Sequence, residues 1–255
     1  MMMKRVRTSV MTLVVTAAIF SSCTKKDDAA PQSCRIISTS INNDGQTTTT
    51  TFNYSTGGQI ISSQSVMDAT SWTTTYTYDN EGRLIIQDAS TGFKEFYFYG
   101  NGHQLIRDSL YISDVGNPLW IVKAYTYNAD GQLITHVERT GFSSCTSCGQ
   151  LTTVEYTYPN NTTKNYSSTV TTVDSTPAYT STYEYESRLI RYNGTPVPTY
   201  FTDNYPRKII HSITPSPSEV NLDYVFNASG YPTSINMVVT FPAATITQTI
   251  TYTCN

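Results

Sequence analysis

The stretch TTTYTYDNEGRLIIQD, residues 73–88, decides the fold of this chain of 255 residues. Its first half alternates threonine with tyrosine, and a period of two predicts a strand with one buried face. Residues 79–82 then predict a turn, because Asp and Asn bond their own backbone and Gly adopts a positive φ without steric cost. Residues 84–87 begin a return strand. The stretch therefore predicts one β-hairpin with Tyr76 and Tyr78 on its inner face.

The same pattern recurs along the chain, which is typical of a repeated supersecondary unit. Four clear copies begin at Thr49, Thr73, Lys94 and Val122, and four weaker copies begin at Thr153, Ser181, Tyr200 and Leu222. About eight hairpins joined in order predict an antiparallel meander of roughly sixteen strands. Closure into a barrel would leave no unpaired edge strand. We therefore expect an all-β fold in which the meander of repeated hairpins closes into a barrel-like sheet, with a two-sheet β-sandwich as the alternative.

The composition favours strands and argues against a nucleic-acid partner. Twenty residues are tyrosine, and aromatic side chains fit a pleated surface. Charged residues make up 14% of the chain and the formal net charge is −3, so we expect no broad basic surface that could meet a phosphate backbone. The strand positions that alternate with the aromatic residues carry threonine or charge. We therefore expect a barrel outside the bilayer, with a membrane pore as the alternative.

Residues 1–22 predict a lipoprotein signal peptide. Lys4, Arg5 and Arg7 precede an apolar run at residues 10–20, and small residues follow, which is the layout of a secretory signal. A membrane-spanning helix needs about 20 apolar residues, more than this run supplies. The next residues, FSSC, end at Cys23 and resemble the lipobox of bacterial lipoproteins. The resemblance implies that Cys23 is acylated and becomes the first residue of the mature chain.

The segment after Cys23 predicts a placement at the cell surface. Residues 24–28 are a polar run, and residues 23–33 predict a flexible spacer that carries the lipid anchor. Within them, Lys26, Asp27 and Asp28 are similar to the signal that sends lipoproteins to the outer face of the cell in Bacteroidota-type bacteria. The resemblance implies an outer membrane lipoprotein exposed at the cell surface, with the membrane as a partner through the lipid. A lipoprotein that faces the periplasm is the alternative.

Residues 34–255 predict a single all-β domain of hairpin repeats. The copy at Thr73 resembles the YD repeat of large RHS-type proteins at five positions: Tyr78, Asp79, Gly82, Arg83 and Leu84. The copy at Val122 matches at Tyr127, Gly131 and Leu133, but Asn128 and Gln132 replace the Asp and the Arg. The chain also resembles uncharacterised secreted lipoproteins with degenerate YD-like hairpins, one family of which has a porin-like β fold. The resemblance implies a fold and no activity.

Four cysteines remain once Cys23 carries lipid: Cys34, Cys145, Cys148 and Cys254. Their number is even, and an exported protein lies in a compartment that permits disulfides. Three pairings are possible. Closure of a barrel would bring Cys34 beside Cys254, and a bond there would hold the seam. Residues 143–149 predict a loop disulfide or two free thiols, because a redox motif needs a helix start and zinc needs two further ligands. We expect no metal and no cofactor.

Nothing in the sequence marks a catalytic residue. The chain contains no G-x-S-x-G, H-E-x-x-H or phosphate-binding loop. We expect His103 in a turn and His136 on the polar face of a strand. Glu155, Glu184 and Glu186 alternate with tyrosines, which predicts a solvated outer face. We therefore expect a protein that is not an enzyme.

These observations predict a non-catalytic, lipid-anchored surface protein that presents loops to a glycan or protein partner. Trp72, Trp120 and the many tyrosines could stack on sugar rings, because an aromatic face is rigid and amphipathic. The alternative is a secreted hydrolase that acts on polysaccharide through a pair of carboxylates in the barrel, since such pairs meet in space and not along the chain.

Overall fold

The computed structural model describes residues 34–100, 104–113, 118–142, 149–160, 163–189, 204–212, 217–240 and 243–254. These residues form strands and turns, and none of them is helical. The strands are β1 (Cys34–Asn43), β2 (Gln46–Tyr54), β3 (Ile60–Met67), β4 (Thr70–Tyr78), β5 (Leu84–Ala89), β6 (Phe93–Tyr99), β7 (Leu105–Ile112), β8 (Leu119–Tyr127), β9 (Leu133–Phe142), β10 (Leu151–Thr157), β11 (Ser168–Val173), β12 (Thr176–Leu189), β13 (Asn204–His211), β14 (Ser218–Phe226), β15 (Pro232–Thr240) and β16 (Ala243–Cys254). No helix in this part of the chain is long and apolar enough to cross a membrane.

The strands form a closed antiparallel barrel. Each strand pairs with the next one in the chain, and β16 pairs back with β1. The predicted meander and its closure are confirmed, and the sandwich alternative is excluded because one continuous ring of pairs contains all sixteen strands. Closure satisfies the backbone groups that an open sheet would leave at its edges.

The weaker repeat copies differ in one respect from the prediction. The copies at Ser181 and Tyr200 do not form a hairpin each. Instead, β12 continues through Leu189 as one strand of 14 residues, and it pairs with β13. The Ser181 copy contains no glycine at the turn position of the repeated pattern, so the chain has no glycine there to adopt a positive φ.

Strand β4 shows the predicted alternation of its two faces. Thr74 is buried, and Tyr76 and Tyr78 are half-buried. Thr73 and Thr75 between them are exposed. The rings of Tyr76 and Tyr78 therefore face the barrel interior, and the side chains of Thr73 and Thr75 face solvent, as the period of two predicts.

Each clear hairpin contains a β-bulge one residue into its return strand. Tyr78 pairs with Leu84, but Thr77 pairs with Ile86, so Ile85 has no partner. The same irregularity leaves an extra isoleucine in three further hairpins, at Ile61, Ile106 and Ile134. A bulge adds one residue to one strand only. Because side chains alternate strictly, the inward and outward positions exchange after each bulge.

The turn that closes the β4–β5 hairpin is held by its own aspartate. The Oδ1 atom of Asp79 accepts hydrogen bonds of 2.9 Å from the backbone N–H groups of Glu81 and Arg83. Gly82 adopts a φ of 78° and donates to the Asp79 carbonyl over 3.0 Å. Asn128 plays the same part in the β8–β9 turn. We call the end of the barrel that carries these turns the turn rim.

Tyrosine hydroxyls join each hairpin to the one before it. Tyr78 donates to the carbonyl oxygen of Ile60 over 2.8 Å, and Tyr99 donates to that of Leu84 over 2.8 Å. Equivalent bonds of 2.5 to 2.9 Å run from Tyr54 to Ile36, Tyr127 to Leu105, Tyr158 to Leu133, Tyr185 to Tyr166 and Tyr224 to Pro206. An inward tyrosine in each of these seven hairpins therefore supports the neighbouring strands as well as its own.

The seam between β16 and β1 has the geometry of an eighth hairpin whose turn is missing. Ile36 pairs with Tyr252 and Ser38 with Thr251, so Ile37 is the extra residue. The first and the last described residues lie where the other hairpins have their turn. Cys34 is disulfide-bonded and lies opposite Cys254 in the register, which is the arrangement that the predicted seam disulfide requires.

Two apolar clusters lie inside the barrel. One contains Ile36, Leu222, Ile235 and Ile250 beside the seam. The other contains Leu84, Tyr97, Leu105, Tyr125 and Leu133, with further tyrosines packed around it. Buried polar side chains are present as well. Among them, Asp108 is hydrogen-bonded to Tyr125 of the second cluster.

Candidate functional site

The predicted site residues divide into those that the structure describes and those that it does not. Cys34 lies in β1 and is disulfide-bonded. The lipidation site Cys23, the export signal Lys26, Asp27 and Asp28, the pair Cys145 and Cys148, and His103 all lie outside the described residues. The predictions made for them stand as predictions.

The acids predicted on the outer face lie there and do not form a carboxylate pair. Glu155 and Glu184 are exposed, and Glu184 forms an ion pair of 2.7 Å with Arg207. The side chain of Glu186 lies outside the described part of the structure. These acids therefore supply a solvated outer surface.

Two acids that the sequence reasoning missed lie on the inner wall. Glu95 in β6 pairs with Gln87 of β5, and Asp108 in β7 pairs with Tyr97 of β6 and with Lys123 of β8. Asp108 is 3% exposed. With Tyr125, these side chains form what we call the interior acid cluster: Gln87, Glu95, Tyr97, Asp108, Lys123 and Tyr125.

The inward or outward direction of each strand position explains why Glu95 could be predicted from the sequence and Asp108 could not. Glu95 shares the inward parity of Tyr97 and Tyr99, so the alternation alone could have found it. Asp108 follows the bulge at Ile106, which exchanges the two faces of β7. Without the bulge, Asp108 would face solvent.

Tyrosine hydroxyls hold both carboxylates. Tyr97 donates to Oε2 of Glu95 over 2.7 Å and lies 3.3 Å from Oε1 of Gln87. Tyr125 donates a short hydrogen bond to Oδ2 of Asp108. The other carboxylate oxygen of Asp108, Oδ1, is buried and has no hydrogen-bond partner among the described residues. One acceptor in the cluster is therefore unsatisfied.

Burial sets the ionisation of the cluster. It raises the pKa of Asp108 above its usual value, against the opposing effects of Lys123 and Tyr125. Burial also raises the pKa of Glu95, and the neighbouring Asp108 raises it further. Burial alone would lower the pKa of Lys123, but Asp108, Glu95 and Glu138 together raise it. The acids therefore hold their protons to higher pH than usual while the lysine stays charged.

His136 faces the interior, and the prediction that it lies on a polar outer face is wrong. It pairs with Tyr125 across β8 and β9, and its Nδ1 atom lies 2.8 Å from the hydroxyl oxygen of Tyr156. The bulge at Ile134 shifts the phase of β9 and turns the imidazole inward. Burial, together with the charge of Lys123, lowers the pKa of His136 to about 4. The ring is therefore neutral near pH 7.

The outer wall carries an aromatic patch formed by Phe96, Tyr111 and Trp120. The ring of Trp120 lies 4.7 Å from that of Tyr111 and stacks on that of Phe96 at 6.4 Å. All three side chains are half-buried. Trp120 pairs with Gly141 of β9, which has no side chain to cover that flank of the indole.

Charged groups border this outer aromatic patch. Lys94 pairs with Tyr111 across β6 and β7, and its Nζ atom lies 5.7 Å from the centre of the Phe96 ring. Lys94 also forms an exposed ion pair of 2.8 Å with Asp88. Flat aromatic faces next to exposed donors and acceptors can bind a sugar, because its C–H faces stack on rings while its hydroxyls form hydrogen bonds.

Among the described residues, no three His, Cys, Asp or Glu side chains converge on a point where a metal ion could bind. The described side chains of the two sites offer hydrogen bonds, charge and aromatic stacking. The interior acid cluster can exchange protons, and the outer aromatic patch can stack on a flat apolar face.

Compared with known protein families and with curated proteins, the chain matches none. Among solved structures, it is similar to a porin-like protein from Bacteroides uniformis ATCC 8492, with a TM-score of 0.54, 14% identity, and coverage of 86% of this chain and 98% of that chain. It also aligns with a porin-like protein from Bacteroides vulgatus ATCC 8482, with a TM-score of 0.43, 12% identity, and coverage of 87% and 99%.

The first of these likenesses shows a shared porin-like β fold. A third solved structure, TcdB2-TccC3-Cdc42, aligns with 76% of this chain over 13% of its own length, at a TM-score of 0.29 and 14% identity. The resemblances of the sequence to a lipobox and to YD repeats stay predictions, because the likeness that carries weight is one of fold alone.

Proposed function

We propose that the protein is a lipid-anchored protein of the bacterial cell surface that binds a glycan without transforming it. The observation that carries the binding role is the outer aromatic patch, where Phe96, Tyr111 and Trp120 lie together on one wall. Three neighbouring half-buried rings on an outer face are costly to keep hydrated, and a sugar that stacks on them would remove that cost.

The position of the patch fits a surface role. Tyr111 and Trp120 lie one residue from the ends of β7 and β8 that are opposite the turn rim. The described chain begins at Cys34, at the turn rim. A lipid on Cys23 would therefore tether the turn rim and leave the patch at the end that points away from the bilayer.

The family resemblances support the anchor. The FSSC sequence before the spacer and the Lys-Asp-Asp run after it resemble lipoprotein processing and export signals. The structural neighbour with the higher TM-score is a porin-like protein from a Bacteroides species, the group of bacteria whose export signal the run resembles. Lipid at Cys23 is tested by mass spectrometry of the amino-terminal peptide. Surface placement is tested by protease treatment of intact cells, and full protection of the barrel would contradict it.

A glycan array with the chain that starts at Thr24 tests the binding role. We expect Trp120→Ala to lower binding by about 5- to 150-fold, if a sugar stacked on one ring contributes as much as a stacked base, roughly 1–3 kcal/mol. The matched control is Val170→Ala, which removes an exposed apolar side chain from β11 and should leave binding unchanged. Binding that survives both Trp120→Ala and Tyr111→Ala would contradict the assignment of the patch.

A hydrolase is the second candidate, and Glu95 with Asp108 is the observation that favours it. Glu95 pairs with Leu110 while Tyr97 pairs with Asp108, so the two acids are diagonal neighbours on adjacent strands, about 7–8 Å apart at the backbone. Glycosidase carboxylates lie roughly 5–10 Å apart. Both acids have a raised pKa, as a general acid requires.

A hydrolase screen on polysaccharides separates the two candidates. If the chain hydrolyses a substrate, Glu95→Gln and Asp108→Asn should each lower kcat by about 100-fold or more, the usual contribution of a general acid or base. Glu155→Gln changes an exposed acid of β10 and serves as the control. Binding on the array without turnover in the screen supports the non-catalytic role.

A further inference from the structure

We propose that the turn rim of the barrel docks on a lipid bilayer through a row of apolar side chains on its outer face. The inference deepens the proposed function, since it rests on the lipid anchor at Cys23 to bring the rim to the membrane. The apolar rim row consists of Ile37, Ile61, Phe98, Ile106, Ile134 and Val225, with exposed fractions of 41, 48, 38, 44, 36 and 61%.

The bulges place the row at one level of the barrel. Ile37, Ile61, Ile106 and Ile134 are the extra residues at the bulges of β1, β3, β7 and β9. Ile61 follows the turn glycine Gly58 by three residues, and Ile134 follows Gly131 by three. These two isoleucines therefore have the same height above their own turns. The six side chains of the row lie on β1, β3, β6, β7, β9 and β14, near the turn rim.

The concentration of apolar side chains at this rim is unlike the rest of the outer wall. The described residues contain eight large hydrophobic side chains that are exposed, and six of them belong to the apolar rim row. Only Val66 and Val170 lie elsewhere. Scattered apolar residues are normal on a protein surface, but six at one rim are a concentration of the kind that marks an interaction site.

Arg107 lies beside the row and supplies a positive charge that lipid headgroups could bind. The guanidinium carbon of Arg107 lies 3.9 Å from the centre of the Phe98 ring, and Arg107 directly follows Ile106. Among the described residues Arg107 forms no ion pair. An arginine can rest its apolar stem against lipid and keep its charge at the phosphates, and aromatic rings concentrate at the same depth.

The partner that covers the apolar rim row is a bilayer, because the chain enters the barrel at the same rim. The described chain starts at Cys34 on the turn rim, 11 residues after Cys23. A flexible spacer of that length spans about 18 Å on average, less than the roughly 30 Å that a strand of nine residues extends. A lipid at Cys23 would therefore keep this rim at the membrane. A plane can also meet a curved rim along the whole row, whereas a second protein set against one side would cover only an arc.

Lipid-phase quenching tests the docking directly. The chain from Thr24 is given an amino-terminal histidine tag and tethered to vesicles of phosphatidylethanolamine and phosphatidylglycerol that contain a nickel-chelating lipid. Ile106→Trp places a fluorophore in the row, and Val66→Trp places one on β3 near the opposite rim. We expect acyl chains labelled with bromine to quench the added fluorescence of Ile106→Trp several-fold more than that of Val66→Trp.

Substitution of isoleucines in the row is the second part of the test. Without the nickel lipid, each of Ile61→Thr, Ile106→Thr and Ile134→Thr should weaken vesicle binding about tenfold, as expected when about two methylenes leave the interface. Val66→Thr is the matched control and should bind as the parent does. Equal quenching at both tryptophans, or a dimer that the three substitutions dissociate, would overturn the proposal. Tethering by the tag makes this result independent of whether Cys23 carries lipid.

Discussion

The hydroxyl of Tyr78 donates a hydrogen bond of 2.8 Å to the backbone carbonyl of Ile60, the first residue of the preceding hairpin's return strand. The bond is repeated from hairpin to hairpin around much of the barrel. The ring fills the interior while its hydroxyl satisfies a backbone acceptor beside the bulge. A tyrosine in this position therefore does two things that neither phenylalanine nor serine could do alone.

Removal of this hydroxyl should destabilise the barrel without changing its fold. We expect Tyr78→Phe to lower the free energy of unfolding by about 1 kcal/mol, since the carbonyl of Ile60 loses its partner and the ring still packs. The control is Tyr111→Phe, because the Tyr111 hydroxyl has no hydrogen bond within the described residues. Urea unfolding followed by fluorescence measures both variants. Equal stability of the two variants would show that the hydrogen bond from Tyr78 to Ile60 does not contribute to the free energy of unfolding.

The turn glycine should tolerate no side chain. Gly82 has a φ of 78°, and a Cβ atom there would lie 3.3 Å from Nε2 of Gln59. We expect Gly82→Ala to lower the free energy of unfolding by about 1–2 kcal/mol, the cost of a left-handed backbone for a residue with a Cβ. Gly57 has no positive φ, and a Cβ atom there would meet only the hydroxyl oxygen of Ser55, at 3.7 Å, so Gly57→Ala is the control. Thermal unfolding measures the difference, and an equal loss in both variants would contradict the explanation.

The disulfide of Cys34 should join it to Cys254. The two residues lie opposite each other at the seam, and Cys34 is disulfide-bonded. A peptide map without reducing agent should contain this pair. The double variant Cys34→Ser with Cys254→Ser should lose about 2–5 kcal/mol of stability, because the bond constrains a long loop in the unfolded chain. A map in which Cys34 joins Cys145 or Cys148 would refute the pairing.

Asp108 should make the barrel less stable as the pH rises. Burial raises its pKa above the ordinary value of 3.8, so the folded state holds the proton over a range where the unfolded chain has lost it. Stability therefore falls from about pH 4 up to the raised pKa and is level beyond it. Asp108→Asn should remove this part of the pH dependence. Urea midpoints between pH 4 and pH 8 measure it, and an unchanged slope would contradict the role of burial.

His136 should act in the opposite direction. Its folded pKa is lowered from 6.5 to about 4, so below pH 6.5 the unfolded chain gains a proton that the folded barrel cannot take up. Stability is therefore lost as the pH falls from 6.5 to about 4, by about 3 kcal/mol at full extent. His136→Gln keeps a partner for Tyr156 and should abolish that loss. A variant that is as acid-sensitive as the parent would show that other groups are responsible.

The hairpins and their turns could be read from the sequence because they are local. Alternation with a period of two, an Asp or Asn and a glycine within ten residues are enough to specify Tyr76 and Tyr78 as inward and residues 79–82 as a turn. The approximate number of strands followed from the number of copies, although the copies at Ser181 and Tyr200 share one hairpin and β1 and β16 complete the sixteen. The meander followed because neighbours in the chain usually pair in space.

The candidate sites were harder to predict because most of their residues depend on the register between strands or on the shift at a bulge. One extra residue in β7 and one in β9 turn Asp108 and His136 inward, and the periodic pattern continues through both bulges with only an added isoleucine. The outer aromatic patch brings together rings from β6, β7 and β8. Residues that are 24 positions apart, such as Phe96 and Trp120, meet only after strand register is set.

By itself, therefore, the sequence determined the repeating unit, the face on which its rings lie and the order of its strands, since each depends on interactions within a few residues. Only the tertiary structure decided the register of the seam, the phase after each bulge, and which side chains form the interior acid cluster, the outer aromatic patch and the apolar rim row. Those outcomes depend on hydrogen bonds and packing between distant segments, where one residue of slip moves every side chain to the other face.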